Sequence, residues 1–343
     1  MKHYPAADLK KICVDVLKGY GVPEENADIT ASVMISASLR GIDSHGIAYL
    51  PVYVERIKRG VVDPKAQPEI VTETANTAVV DCKNGLGQVG GVFAMNLAVK
   101  KALASNTGFV GLRNSGHFGM VSYYTMQAAK NNCIGLAMTN APSSVAPFGG
   151  MEPLFGTNPI SFAFPVKDRP DIVIDFATSA IARTKLRNMA AEKQEIPEGW
   201  ALSKEGYMAK TADEGYEGVL LPAAGVKGYG LAIIAEVLSA VLTGAAFTTR
   251  VGGLVDDFSR SQNVGHFLGA ISIESFLPMD QYYDMMDQFI GTIKGVKPVP
   301  GVQEVLYPGE LEFQKETLRK AEGIPVDDAM WEKIKKCMEE LNK

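Results

Sequence analysis

The sequence predicts an α/β protein in which a helical region, assembled from both ends of the chain, accompanies a middle of alternating helices and strands. Three observations carry this. Of 343 residues, 46% are hydrophobic and 21% charged, ordinary values for a chain that buries a sizeable core. Apolar residues recur at helical spacing through residues 6–59 and again in the charged tail. Between them, short β-branched runs trade places with helical runs, punctuated by proline and glycine.

Taken in order, residues 6–19 and 24–40 are predicted helices, split by Gly19-Tyr20-Gly21-Val22-Pro23, which ends one and starts the next. A third helix is expected to start near Ser44 and run through Tyr53, Ile57 and Arg59 to Gly60. Pro64 and Pro68 follow, then strands at 69–73 and 77–81. Next come a helix at 93–104, a strand at 109–113, a helix at 122–130 and a strand at 134–139. Strands at 160–164 and 172–175 precede a helix at 182–191 and a long one at 228–242. A strand at 268–274 and helices at 279–294, 310–323 and 327–341 complete the chain. Two units result: a helical one from 1–75 with 297–343, and an α/β one from 76–296. No internal repeat, low-complexity tract or long linker is visible.

Composition excludes several classes of function. Lys and Arg number 34 against 39 Asp and Glu, a net charge of −5 with no electrostatic footprint for nucleic acid or an anionic membrane. Cys13, Cys82, Cys133 and Cys337 are dispersed, form no C-x-x-C and match no zinc spacing, so buried thiols in a reducing cytoplasm are expected. Residues 1–5 lead into an amphipathic stretch without the apolar core of a secretion signal. The one membrane-like stretch, 228–247, carries Glu236 at its middle, where an acid costs about 2.5–3.5 kcal/mol in a bilayer. It reads as a buried helix of a soluble, cytoplasmic protein.

Gly85-Leu86-Gly87-Gln88-Val89-Gly90 follows the strand at 77–81 and invites a Rossmann reading. Two features oppose it. Residues 81–84 intervene where the motif needs an immediate turn, and the next strand ends in Leu112-Arg113-Asn114, with no acid for a ribose hydroxyl. A tight turn capped by glycines is the expectation.

The chain holds four histidines: His3, His45, His117 and His266. In Arg40-Gly41-Ile42-Asp43-Ser44-His45-Gly46, Asp43 or Ser44 is suited to cap the following helix. The positive helix end would then tune His45 toward neutral pH as a proton shuttle; a merely satisfied buried histidine is the alternative. His117 sits in Asn114-Ser115-Gly116-His117-Phe118-Gly119, a strand-end loop whose glycines permit a sharp turn and close approach of a ligand. His266, in Val264-Gly265-His266-Phe267, is left open, and His3 is expected to be disordered and idle.

These motifs together resemble the type 2 malate/L-lactate dehydrogenase family, which also holds ureidoglycolate, sulfolactate and diketogulonate oxidoreductases. Besides the two histidine motifs, the marks are Asn84-Gly85-Leu86-Gly87-Gln88, Pro147-Phe148-Gly149-Gly150 and Phe155-Gly156-Thr157-Asn158-Pro159. Asp175-Phe176-Ala177-Thr178-Ser179, Ile196-Pro197-Glu198-Gly199-Trp200-Ala201 and Leu221-Pro222 leading to Lys227-Gly228-Tyr229-Gly230-Leu231 follow. The resemblance implies an NAD- or NADP-dependent oxidoreductase, a homodimer, with a non-Rossmann cofactor-binding domain built on a mixed sheet.

By the same resemblance, His45 with Ser44 beside it is the acid/base acting on a small 2-oxo or 2-hydroxy acid, malate or L-lactate first. His117 is a second catalytic residue that also lies at the cofactor. The implied cofactor positions are His117, Phe118, Gly119, Asn140, Asp175, Phe176, Ala177, Thr178, Lys227, Gly228, Gly309 and Glu310. Gly116 and Gly119 would let backbone N–H groups reach the diphosphate, and Lys227 would add a point charge. No metal is implied and no ligand cluster suggests one.

The sequence departs from the family at Tyr49, where many members carry an arginine that grips the substrate carboxylate; Tyr53, the next substrate position, is kept. Arg40, Arg56 and Arg183 are candidates to replace that charge. Thr184 stands before Lys185 where glycine is usual. Ureidoglycolate, sulfolactate or another 2-oxo acid therefore stays open as substrate. From another class, a non-catalytic ligand-binding descendant is the alternative, against which the presence of both His45 and His117 argues.

Overall fold

A computed structural model describes residues 1–341. The chain opens with strand β1 (Lys2–Tyr4), helices α1 (Ala6–Gly19), α2 (Glu24–Leu39) and α3 (Leu50–Lys58), and strands β2 (Glu69–Glu73) and β3 (Thr77–Asp81). Then come α4 (Gly87–Ser105), β4 (Thr107–Ser115), α5 (Ser122–Ala129), β5 (Cys133–Thr139), β6 (Ile160–Phe164) and β7 (Ile172–Phe176). A small lobe follows with α6 (Arg183–Ala191), β8 (Ala201–Leu202), α7 (Ala212–Glu217) and β9 (Val219–Leu220). The remainder is α8 (Val226–Glu236), β10 (Val264–Ser272), α9 (Met279–Lys294), α10 (Glu310–Glu322), β11 (Ile324–Val326) and α11 (Asp328–Glu340).

The chain ends meet. Leu9, Cys13 and Leu17 of α1 share a core with Ala31 and Met34 of α2, Leu50 and Tyr53 of α3, and Ile324, Ile334 and Cys337 from the tail. That spacing is the helical stripe read from sequence, buried on one side. β1 pairs antiparallel with β11, and Tyr4 stacks on Trp331 with ring centroids 4.4 Å apart. His3, expected to be disordered, is therefore in a strand opposite Pro325, its Nδ1 3.2 Å from the Glu322 carbonyl oxygen. Neither short strand shows in the hydropathy pattern, because each exists only through the other.

The middle builds a seven-stranded sheet in the order β2-β3-β4-β10-β5-β6-β7. β3 and β4, joined through α4, run parallel; every other neighbouring pair in the sheet is antiparallel. A Rossmann sheet is parallel throughout, so the glycine hexapeptide serves another purpose. A Cβ on Gly87 would overlap the Gly116 carbonyl oxygen and sit 2.7 Å from that of His117, and one on Gly90 would lie 2.6 Å from Cys82 Sγ. The glycines let the start of α4 press against the loop that carries His117.

α4 and α5 cover one face of the sheet over Val110, Leu112, Ala137, Leu268 and Ala270. α8 and its continuation cover the other, where Gly111 admits Thr243 and Gly265 admits the Ser239 carbonyl. The small lobe has its own core of Phe155, Leu186, Ile196, Ala201 and Leu220, with Trp200 against it.

Four differences from the sequence reading have local causes. The third helix begins at Leu50, not near Ser44, because residues 43–45 and 47–49 form two 3₁₀ turns hinged at Gly46, whose ψ of −148° breaks a helix. The helix expected at 228–242 is α-helical only to Glu236; Val237–Val241 winds as a π turn. It is also not wholly buried: Val226 is 60% exposed, Val241 56% and Leu242 62%. The strand expected at 268–274 is β10, which starts earlier because Gly265 forms a bulge against β4. All four cysteines are free and buried, and burial pushes the Cys13 and Cys82 thiols up to about 12. Among the described residues no helix is long and apolar enough to cross a membrane.

The contact at Gly87 gives a direct test. Gly87→Ala is expected to destabilise the protein by about 1–3 kcal/mol, the usual penalty of overpacking, read as a lower urea midpoint. An unchanged midpoint would show that α4 and the His117 loop are not tightly joined.

Candidate active site

His45 leaves the 3₁₀ turn after α2, and His117 leaves the loop after β4, yet their rings stack with centroids 5.5 Å apart. Tyr49 lies over the same imidazole, centroid to centroid 4.6 Å. The Tyr53 hydroxyl is 2.8 Å from His117 Nδ1, and Ser44 Oγ is 3.0 Å from His45 Nδ1. The fold thus brings together all five residues that the sequence nominated for substrate chemistry: Ser44, His45, Tyr49, Tyr53 and His117.

Each is held by specific contacts. Tyr53 is anchored on α3 in the helical core. Gly46 fits against Ser38 of α2, where a Cβ would collide with the serine hydroxyl, and Ser38 Oγ accepts the Ile47 N–H. The His117 N–H donates to Gln262 Oε1 at 3.0 Å, and Gly119 takes φ = 83°, a conformation that favours glycine. Phe118 is buried between Tyr124 and His266, with centroids 4.6 and 3.9 Å away.

Burial sets the charge state. It pushes His45 down to about 4, and it lowers His117 well below the usual imidazole range, with His45 and His266 adding to the effect. The sequence reading assigned the tuning of His45 to a positive helix end. No α-helix starts there and neither Asp43 nor Ser44 caps one; Asp43 pairs with Arg319 at 2.6 Å instead. Burial likewise raises Tyr53 well above and Tyr49 above the ordinary phenol, while the charge of Arg187 opposes the shift at Tyr49. At neutral pH the cluster is therefore uncharged and ready to accept a proton.

The residues expected at the cofactor lie along connected strand ends and turns. Asp175 Oδ2 accepts the Ser122 N–H at 2.7 Å at the start of α5, and Phe176 is 42% exposed beside it. Ala177 is half-buried, while Thr178 is buried and donates its hydroxyl to the Thr157 and Asn158 carbonyls; its own carbonyl accepts the Ala223 N–H. Gly228 closes the turn that opens α8, for a Cβ there would overlap the Ala223 carbonyl. Lys227 is exposed in that first turn, where no side chain caps the helix.

A helix start without a side-chain cap beside an exposed lysine fits a diphosphate, although the Gly228 N–H is taken by the Ala223 carbonyl. Other expected positions are spent internally. The Phe118 side chain is buried, Asn140 donates to Glu236 and Ala246, and Glu310 holds Lys294 at 2.8 Å. Gly309, at φ = 96°, packs its backbone on Val173. Among the described residues no group of three or more His, Cys, Asp or Glu gathers to hold a metal.

The arginines nominated to replace the missing charge are otherwise engaged. Arg40 pairs with Glu316 at 3.1 Å; Arg56 donates to the carbonyls of Gly253, Leu254, Asp257 and Arg260; Arg183 lies over Tyr216. Arg187 of α6, which the sequence reading passed over, is the cation whose charge reaches Tyr49. Thr184 sits inside α6, at a position that does not require glycine.

His266, left open by the sequence, and Gln88 and Glu236, which it did not nominate, belong to the surroundings of the site. His266 is wholly buried with Nδ1 2.8 Å from Thr139 Oγ1 and Nε2 2.9 Å from Ser115 Oγ, a satisfied structural histidine that burial holds down to about 3. Glu236, also buried, accepts from Asn140 at 3.3 Å, Asn158 at 2.6 Å and the Thr248 N–H at 2.7 Å.

These histidines make stability depend on pH. Each binds its proton less readily folded than in the unfolded chain, where imidazole titrates near 6.5. Their contribution is complete above that value and is lost as pH falls toward 4 for His45 and 3 for His266. Asp175, raised to about 6 by burial, and Asp171, also raised by burial, act in the opposite sense, two groups against three. The urea midpoint is expected to fall between about pH 7 and pH 5; a midpoint that rises over this range would refute the neutral histidines.

The comparisons with known proteins converge on the same reading. The family model described as malate/L-lactate dehydrogenase matches residues 4–335. L-Sulfolactate dehydrogenase of Methanocaldococcus jannaschii is 40% identical over 332 residues, covering 97% of this chain and 95% of that protein. Malate/(S)-sulfolactate dehydrogenase of Methanothermus fervidus is 38% identical over 333 residues, covering 97% and 96%. The solved sulfolactate dehydrogenase from M. jannaschii superposes with a TM-score of 0.95 at 39% identity, covering 99% of this chain and 98% of that one. With the match running through the whole fold and through both histidine loops, the chain belongs to the malate/L-lactate dehydrogenase family.

Proposed function

We propose that the protein is an NAD- or NADP-dependent dehydrogenase that interconverts a small 2-hydroxy acid and its 2-oxo acid. The observation that carries this is the pair of stacked, neutral imidazoles of His45 and His117, closed in by Tyr49 and Tyr53. NAD or NADP, when bound, supplies or accepts the hydride. Lys227 and the first turn of α8 would hold its diphosphate, next to the strand-end residues from Asp175 to Thr178 and the Gly116–Gly119 loop.

His45 is the acid/base. In the oxidising direction it is already unprotonated at neutral pH and takes the hydroxyl proton of the substrate. In the reducing direction an anionic substrate raises the affinity of the neighbouring imidazole for a proton, which then passes to the carbonyl oxygen. Ser44 orients His45 through Nδ1 and Tyr53 orients His117 through Nδ1. Residues 1–75 with 297–343 supply His45, and residues 76–296 supply His117 and the cofactor surface.

Malate heads the substrates. Arg187 near Tyr49 favours a 2-hydroxy acid with a second anionic group, a carboxylate as in malate or a sulfonate as in sulfolactate, over L-lactate. The exposed apolar row of Val226, Ile234, Val237, Val241 and Leu242 supports a homodimer, since a contiguous patch of this kind marks an interface. Four buried free thiols suit a reducing cytoplasm.

His45→Ala is expected to lower turnover by about 10²–10⁴-fold with cofactor affinity retained; near-normal turnover removes His45 from the role. A panel of 2-oxo acids, followed by loss of the absorbance of reduced nicotinamide with NADH and NADPH in turn, tests the class. No oxidation with any member would favour a binding protein. On gel filtration the protein should run at twice the monomer mass and Val241→Glu as a monomer, while a monomeric wild type would refute the dimer.

A further inference from the structure

Gln88, the second residue of α4, is fully buried, and neither its amide nitrogen nor its amide oxygen has a well-aligned hydrogen-bond partner. An amide left in that condition costs about 1–3 kcal/mol, so its surroundings matter. Gly87 presses this end of α4 onto the carbonyls of Gly116 and His117. Leu86 and Val89, in the same turn as Gln88, share a buried core with Tyr53. Burial dominates the raised pKa of that phenol and Tyr49 adds to it, but Gln88 opposes the rise, as a hydrogen-bond donor to the oxygen does.

We propose that Gln88 is a positioning residue that fixes the tautomer of His117 through Tyr53. Turned toward the Tyr53 oxygen, its Nε2–H would donate there, while the Tyr53 O–H donates to His117 Nδ1 across the 2.8 Å contact. His117 then keeps its ring proton on Nε2 and meets the substrate oxygen as an N–H donor. The direction follows from chemistry: an imidazole nitrogen is the strongest neutral acceptor in the chain, and a phenol donates better than it accepts. The two stacked histidines consequently divide the work, His45 moving the proton and His117 stabilising charge on the oxygen.

This assignment rests on the proposed dehydrogenase reading, yet its main test does not need turnover. With ¹⁵N-labelled histidine, two-bond ¹⁵N–¹H correlations report which ring nitrogen of each histidine carries the proton; comparison with His117→Gln assigns the signal. Wild type is expected to show His117 as the Nε2–H form. In Gln88→Glu the ionised carboxylate can only accept, so it should take the Tyr53 proton and turn His117 into the Nδ1–H form. Turnover should then fall about 10²-fold or more, the scale of a wrong tautomer, with cofactor affinity unchanged. Gln88→Met, which keeps the volume without the bond, should give a mixture of tautomers.

A wild-type Nδ1–H form, or a tautomer untouched in both variants, overturns the inference while leaving 2-oxo acid reduction intact. Failure of the dehydrogenase reading would show separately, as absence of turnover in wild type with the tautomer still legible.

Discussion

The site depends on one buried side chain that does no chemistry. β10 arrives late in the sequence and inserts between β4 and β5, so the ends of those two earlier strands are positioned by a third. His266 joins them. Its two ring nitrogens reach Ser115 at the end of β4 and Thr139 at the end of β5, and its face stacks on Phe118 at 3.9 Å. The loop holding His117 and the turn holding Asn140 both start at these points. A neutral imidazole is suited to this place, because it bonds two hydroxyls at opposite ends of a rigid ring and carries no charge into the core.

The same economy recurs on the other face of the sheet. Glu236 is a buried carboxylate whose three hydrogen bonds come from amide and backbone donors, Asn140, Asn158 and Thr248. Asn158 in turn presents its carbonyl to Thr178, and Asn140 Oδ1 accepts the Gly265 N–H beside His266. A polar seam thus runs from the His266 strand to the strand ends nominated for the cofactor. Buried groups bonded to one another in this way tolerate few alternative arrangements, which fixes the relative placement of two half-sites that come from distant segments.

Much of this was legible in the sequence, and the failures have physical reasons. Helices α1, α9 and α11 follow periodic stripes, and β2 and β3 follow β-branched runs, so local pattern sufficed. The histidine loops stood out because glycine, serine and histidine together serve neither a helix nor a strand. What stayed hidden depends on partners far along the chain. β1 and β11 stabilise each other across the whole length of the sequence, and β10 declares its site role only once His266 is seen between two strands. Gln88 looked like part of a glycine turn because a polar residue at a helix start is ordinarily exposed. Arg187 looked like one surface charge among many. The exposed face of α8 was read as core because hydropathy reports apolar residues without saying what covers them.

The depressed histidines give the site its logic. His45 and His117 lie 5.5 Å apart, and a charge on one disfavours a charge on the other. Burial keeps both neutral, with the Ser44 and Tyr53 hydroxyls against their Nδ1 atoms. In the proposed reaction an incoming anion would change that balance: its charge, drawn toward Arg187, would offset the cost of protonating one imidazole in a buried place. Proton uptake is then coupled to the arrival of the substrate that needs it. A permanent arginine at position 49 would bind the carboxylate more tightly but would also repel the proton from His45, whose ring centroid lies 6.0 Å from that of Tyr49. Tyrosine at that position, with the cation one helix away, keeps the attraction for the anion while sparing the histidines a neighbouring positive charge.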